Sequence, residues 1–260
     1  MKLMLKRLGV QAIKTSPQTL LPVDIYNNVK IPEFDPIHAQ QALTRFFSAL
    51  KRSQESSDGA TLQQIMKTQF GFWLEKHPSL IPNAGNGVFL RGGHADPGVI
   101  VAMYPGTLYR PGEAIFFSSL HNRYILKCND GVYVDGKFNG LSGSIYRSLN
   151  SRDNYPGITP TADTTWMTSQ PKNPLAIGQI VNNGTSQFPP NVQYQELDIT
   201  TEACPLELQE FLPNIWYSGD WHDEPQTKQG YLRTVVLVTT RTVEQDQELY
   251  STYIENQMHY

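Results

Sequence analysis

Four short groups of residues in the sequence carry atoms that could do chemistry. Gly85-Asn86-Gly87 gives two positions where backbone can lie against a ligand with no Cβ in between. Tyr104-Pro105-Gly106 places a phenol at the end of one apolar run, and Ile180-Val181-Asn182-Asn183 ends another with two amides. Glu248-Leu249-Tyr250-Ser251-Thr252-Tyr253 puts further phenols shortly after a polar turn, with Tyr253 the candidate hydroxyl. Such a set can bind and orient: glycine backbone and amides hold a polar ligand, and phenols hydrogen-bond a reacting group. Alone, each group also reads as ordinary structure: a turn at Tyr104-Pro105-Gly106, an Asx turn at Asn182, a core aromatic at Tyr253. The glycine pair lacks the third glycine and following helix of a dinucleotide fingerprint.

The elements that must position these groups fall into two textures. Asp35-Pro36 offers an N-cap and a first-turn proline, and Ala39, Leu43, Phe46, Phe47 and Leu50 recur at helical spacing. Thr61 starts a second helix with Leu62, Ile65, Met66 and Phe70 on one face and Gly71 near its end. The stripe of Phe46, Phe47, Phe70, Phe72 and Trp73 is expected to be core against the next domain. Beyond Pro78 and Pro82, short apolar strands punctuated by glycine replace the helical period, placing a boundary near residue 80. Strands are expected at Val88–Leu90, Val99–Met103, Ile115–Phe117, Tyr124–Leu126 and Val132–Val134, with turns at Asp96-Pro97-Gly98, Pro111-Gly112 and Asn129-Asp130-Gly131. This spacing indicates an irregular antiparallel β domain. Residues 136–174, rich in Ser, Thr, Asn, Pro and Gly, read as a long insert with little regular structure. An apolar strand is then expected to lead into Asn182, and Thr234–Val238 reads as a buried strand leaving through a turn at Glu244–Asp246. The chain thus divides into an irregular basic leader (1–34), a helical region (35–80), a β-rich domain (81–255) and a short tail (256–260).

Composition narrows the class. A net charge of −3 makes no global field that would gather nucleic acid, so direct nucleic-acid binding is not expected. Cys128 and Cys204 stand far apart, with no disulfide framework and no CxxC zinc pattern, which suits a reducing compartment and predicts no metal. The longest apolar run is too short to span a bilayer. Asn183-Gly184-Thr185 matches a glycosylation pattern by chance in an intracellular reading. Lys2, Lys6, Arg7 and Lys14 make the start basic, which resembles a weak organelle transit peptide or else a frayed surface start. Nucleus or cytoplasm is expected, with the mitochondrion as the alternative.

Order adds what the single groups lack: a glycine pair, Tyr-x-Gly at a strand end, a long insert, an Asn pair, then Glu-Leu and a tyrosine. In that order, over roughly residues 80 to 255, the sequence resembles the SET-domain protein lysine methyltransferases. Val99 to Gly106, Ile115-Phe116-Phe117, Tyr146-Arg147-Ser148, Thr165–Ser169, Asn173–Ala176, Leu212–Ile215 and Val235–Val238 are similar to one subgroup of that family, including its helical leader. The resemblance implies a mainly β fold with a helical N-terminal extension, a β-clip whose carboxyl-terminal segment is threaded as a pseudoknot. It implies S-adenosyl-L-methionine as cofactor, held by Gly85, Asn86, Gly87, Asn182 and Asn183, with Gln179, Ile180 and Val181 lending backbone to the adenine site. Tyr253 then lies beside the methyl donor, in contact with both cofactor and substrate, and Tyr104 supplies a second hydroxyl or a channel wall. The implied partner is a protein or peptide carrying a lysine. Trp216, Tyr217 and Trp221 stand as either groove or packing residues.

The sequence departs from the family pattern beside its most important hydroxyl. Asn183 stands where the family has His, Ser251 where it has an aromatic residue that limits how many methyl groups fit, and Thr252 where it has an acid. Ser251 leaves three alternatives open: room for a higher methylation state, a water, or another residue filling the gap. No cysteine cluster flanks the domain, so zinc-binding modules are not expected. These departures also motivate the competing reading, a non-catalytic module that keeps the fold to bind a peptide or protein.

Overall fold

The computed structural model describes residues 34–55, 61–153, 160–218 and 231–251. The leader up to residue 33, the tail, Trp221, Thr252 and Tyr253 lie outside the described residues. Helix α1 (Pro36–Glu55) starts where Asp35 Oδ1 accepts from the backbone N–H groups of Ile37 and His38, satisfying donors that have no partner inside the helix. Helix α2 (Leu62–Phe70) carries a full capping box between Thr61 and Gln64 and stops at Gly71, whose φ of 84° is left-handed. Of the faces read from the sequence, Ala39, Leu43, Phe46, Phe47 and Leu50 of α1 and Ile65 and Met66 of α2 are buried, while Phe70 is half-buried and Leu62, in the first turn of α2, is exposed. Burying each large side chain contributes about 1.5–3 kcal/mol. Phe46 meets Phe70 edge-on at 5.0 Å, and Phe47 stacks on Phe211 at 5.9 Å, which fuses the helical region to the β-rich core.

Eleven strands among the described residues form three sheets. β1 (Trp73–Pro78) and β2 (Asn86–Arg91) form a hairpin. A four-stranded sheet joins β4 (Gly106–Tyr109), β5 (Ile125–Lys127), β6 (Tyr133–Asp135) and β9 (Asn214–Trp216) in the order β5-β6-β4-β9. The largest sheet contains β3 (Ile100–Met103), β7 (Asn182–Asn183), β8 (Val192–Thr200), β10 (Tyr231–Thr239) and β11 (Tyr250–Ser251), ordered β3-β10-β8-β11-β7. β10 lies between β3 and β8 and is buried from Thr234 to Thr239, which is why its run shows apolar continuity instead of alternation. β11 runs parallel to both β7 and β8. Since residues 184–191 connect those two strands, the connection passes over β11. Gly184 N–H donates to Ser251 O at 2.8 Å and Asn191 N–H to Tyr250 O at 2.9 Å, fixing the loop's two ends to the strand it crosses. This is the threaded carboxyl-terminal arrangement that the family resemblance implies. Among the described residues no helix is long and apolar enough to cross a membrane.

Three segments differ from the sequence reading. Ile115–Phe117 is no strand: residues Phe116–Ser119 form a short helix, α3, with Phe116 and Phe117 exposed and the Ser118 and Ser119 hydroxyls bonded to the carbonyls of Ile115 and Phe116. A three-residue apolar run cannot distinguish the two states. The insert holds a 14-residue helix, α4 (Gly140–Asp153), whose Gly and Ser content and modest apolar face hide it from periodicity. Leading into Asn182 is a single 3-10 turn, Gly178–Ile180, rather than a strand. Gly178 is needed there because a Cβ would lie 2.7 Å from both Met103 O and Leu237 Cδ1. The first strand also begins at Trp73, so the aromatic stripe runs from helices directly into the sheet.

Candidate active site

Three of the four sequence groups meet at one junction. The carboxyl-terminal segment pairs with β2, Leu249 N–H donating to Val88 O at 2.8 Å and Leu90 N–H to Gln247 O at 2.9 Å. On its next residues the same segment pairs with the Asn pair, Tyr250 opposite Asn182 and Ser251 opposite Asn183. Asn182 Nδ2 donates to Asn86 O at 3.0 Å and to Glu248 Oε1 at 3.1 Å, tying all three groups with one amide. The two glycines serve different needs. Gly85 has φ of 79° and its carbonyl accepts from Ser79 N–H, so it closes the β1–β2 hairpin. Gly87 is needed for space: a Cβ there would lie 1.9 Å from Glu248 Oε1.

Glu248 is the centre of the junction. It is only 2 % exposed. Its Oε1 accepts from Ser79 Oγ at 2.7 Å and from Asn182 Nδ2, while Oε2 accepts from Leu80 N–H at 2.8 Å and from the Tyr250 hydroxyl at 2.8 Å. Four donors make a buried carboxylate tolerable, because each replaces a lost water. Burial, then the Glu248 carboxylate, raise the Tyr250 pKa, so this phenol stays protonated and donating. Asn191 brackets the strand, its Nδ2 on Glu248 O at 2.9 Å and its Oδ1 accepting from Tyr250 N–H at 2.8 Å.

Tyr104 belongs to a second layer. It is fully buried, its hydroxyl donates to Tyr124 O at 2.8 Å, and a Cβ on Gly136 would lie 2.8 Å from its ring. Its ring meets Tyr194 edge-on at 5.7 Å, and the Tyr194 hydroxyl lies 3.1 Å from Ser251 Oγ. Of the alternatives left open at Ser251, the third therefore has a candidate in Tyr194, reaching across from β8. Asn183 is exposed, Asn182 half-buried, Val181 buried and Ile180 half-buried. Trp216 and Tyr217 sit in packing roles: Arg110 lies over the Trp216 ring at 4.6 Å and Tyr217 stacks on Tyr109 at 4.9 Å.

Two observations are compatible with a polar ligand beside this junction. Gly85 has open space where a Cβ would stand, beside the exposed Asn86. Gln179 Oε1 is buried with no hydrogen-bond partner among the described residues, an acceptor that a ligand N–H would satisfy. Metal chemistry finds less support. Among the described residues, Cys128, Asp130 and Glu196 gather as potential ligands, but the Arg233 guanidinium lies 2.8 Å from Asp130 and 3.2 Å from Glu196, where a cation would be. Burial pushes the Cys128 thiol up to about 12, away from the thiolate that binds metal.

Periodicity gave no sign of Glu248, Tyr194, Ser79 or Asn191, because their roles come from partners far away in sequence. The one available signal was an acid inside an otherwise apolar Glu248-Leu249-Tyr250 segment.

No protein-family model matches the chain. It is 44% identical over 191 residues, 74% of its length, to human SET domain-containing protein 9, and the match covers 61% of that protein. The orangutan protein of the same name gives 44% identity over 191 residues, covering 67% of its length. The chain thus matches about three-fifths of the human relative's length. By this similarity the chain belongs to the SET domain-containing protein 9 family.

Proposed function

We propose that the chain is an S-adenosylmethionine-dependent methyltransferase acting on the side chain of a protein lysine. The observation that supports this best is the junction itself: Glu248 against Gly87 and bonded to Asn182, which also bonds Asn86 O, with Thr252-Tyr253 following β11 in sequence. Gly85, Asn86, Asn182 and Asn183 would hold the cofactor's polar groups, with Gln179 to Val181 at its base. When bound, the cofactor supplies a methyl group already activated on a sulfonium. The residues of the chain then have to align an amine, keep water out and favour the neutral amine. A lysine amine has a reference pKa of about 10.4, and an apolar, aromatic-walled passage lowers it. Tyr194 would form part of that wall, with Tyr104 packed behind it. The Tyr253 hydroxyl would orient the amine, a geometric contribution rather than that of a base. Buried, reduced thiols at Cys128 and Cys204 agree with an intracellular location.

Replacing Tyr253 with Phe is expected to abolish methyl transfer to labelled lysate proteins while leaving cofactor affinity within about threefold. Full activity in this variant would sink the assignment. The second reading, a non-catalytic module, is favoured by the exposed Asn183 and by Ser251 engaged with Tyr194. Calorimetry separates the two: it predicts heat of binding with S-adenosylmethionine for the enzyme, and none at millimolar cofactor for the module.

A further inference from the structure

Helix α3 is sorted inside out. Its Ser118 is buried, while Phe116 and Phe117 are 66% and 71% exposed. Leu120 follows directly after α3, and Phe138, just before α4, and Leu141, in its first turn, are exposed as well. The two elements are held side by side: Asn122 Nδ2 donates to Ser118 O at 2.9 Å, to Asp135 Oδ1 at 2.7 Å and to Ser142 Oγ at 3.4 Å. Polar groups therefore fill the seam under the two helices, and the large apolar side chains face out. A segment that gives up burial of its phenylalanines in favour of a serine retains apolar surface for another molecule.

The rim of this surface is cationic. Arg123 and Arg147 are exposed, Arg123 beside Asn122 and Arg147 with its guanidinium 3.5 Å from where a Gly143 Cβ would stand, next to the Phe138 carbonyl. Arg147 Nη1 contacts Met167 Sδ, and neither arginine pairs with a carboxylate among the described residues. The acids next to these elements are engaged elsewhere: Glu113, three residues before Phe116, with Arg110, and Asp135 buried against Asn122. Since the whole chain carries a net charge of −3, this local excess of positive charge is a property of the patch.

We infer that the α3–α4 surface docks an acidic amphipathic segment of a partner protein, with two or more large apolar side chains seated over Phe116, Phe117 and Leu120 and carboxylates set against Arg123 and Arg147. The mode is that of an amphipathic segment on an apolar surface, with rim charge choosing the partner. It does not depend on methyl transfer.

Panning a displayed library of random 12-residue peptides on the whole chain tests it. Enriched peptides are expected to combine aromatic or aliphatic residues with Asp or Glu. The best one, made synthetically and labelled, should lose at least tenfold in affinity to a Phe117→Ser/Leu120→Ser variant and to an Arg123→Glu/Arg147→Glu variant. Its lysine-for-acid version should not bind. All four positions are exposed, so both variants are expected to melt with the wild type, which thermal scans check. Absence of enrichment, basic winners, or binding indifferent to the Phe117→Ser/Leu120→Ser pair would overturn the inference. So would a labelled single-stranded oligonucleotide that binds through the arginines alone, or self-association lost on the Phe117→Ser/Leu120→Ser change, since these assign the surface to nucleic acid or to a second copy.

Discussion

Replacing Gly87 with Ala isolates the junction around Glu248. The added Cβ would stand 1.9 Å from Glu248 Oε1 and 2.5 Å from its Cδ, so the carboxylate has to retreat by about 1 Å. That retreat stretches hydrogen bonds of 2.7 to 3.1 Å to Ser79, Leu80, Asn182 and Tyr250. Overpacking combined with weakened charge-assisted bonds should cost about 2–3 kcal/mol. In a Glu248→Ala background the obstructing oxygen is gone, and Gly87→Ala should then cost less than about 0.5 kcal/mol, giving a coupling of about 2 kcal/mol. Glu248→Gln adds a chemical control. Each carboxylate oxygen accepts one N–H that cannot be turned into an acceptor, Leu80 N–H on one and Asn182 Nδ2 on the other. Asn182 cannot flip its amide without turning its oxygen towards Asn86 O. Whichever way glutamine is placed, one N–H faces its NH2 group, a loss of about 1–3 kcal/mol. Urea unfolding of the four members of the Gly87/Glu248 cycle measures the coupling, with equal m values required for the comparison. Additive losses would refute the view that Gly87 exists to admit the Glu248 carboxylate.

Two further outcomes follow from other contacts. Glu210 joins Lys51 of α1 and Lys172 at 2.7 and 2.9 Å; burial pushes its pKa up, but the two ammonium groups outweigh this and hold it below the ordinary 4.5. A depressed acid stabilises above its unfolded pKa, so this contribution should vanish as pH falls through the folded value. Glu210→Gln should flatten that acid limb, by about 1–2 kcal/mol because both lysines are about one-third exposed, as read by thermal melts from pH 7 to 3. If Tyr194 fills the space beside Ser251, Tyr194→Ala should raise the share of di- and trimethylated product on a lysine substrate about tenfold, and Tyr194→Phe should shift it less. Mass spectrometry giving one product distribution for all three proteins would remove Tyr194 from that role.

The helices and the central strand were legible because their signal is local. Phe46, Phe47 and Leu50 fall on one face at 3.6 residues per turn, and Thr234 to Val238 form an apolar, β-branched run with a polar turn beyond it, which favours a buried strand. The order of the motifs holds Gly87, Asn182 and Glu248 but says nothing of the contacts among those motifs. Glu248 is buried only because donors from residues 79, 80, 182 and 250 converge on it, and no period encodes that. Tyr194 reaches Ser251 through the β8–β11 alignment, which joins positions more than fifty residues apart. Phe116 and Phe117 misled for the opposite reason: their hydrophobicity was read as a wish for burial, yet the fold keeps them outside.

The strand that crosses beneath residues 184–191 also has a meaning for biosynthesis. β7 and β8 are synthesised well before β11, and until β11 arrives they flank an open slot with unpaired peptide groups on both sides. The nascent chain therefore carries a two-sided sticky edge through the last part of its translation. A message that stops short of Glu248 leaves that edge exposed for good, so such a product is expected to be cleared or to aggregate rather than persist as a weakened protein.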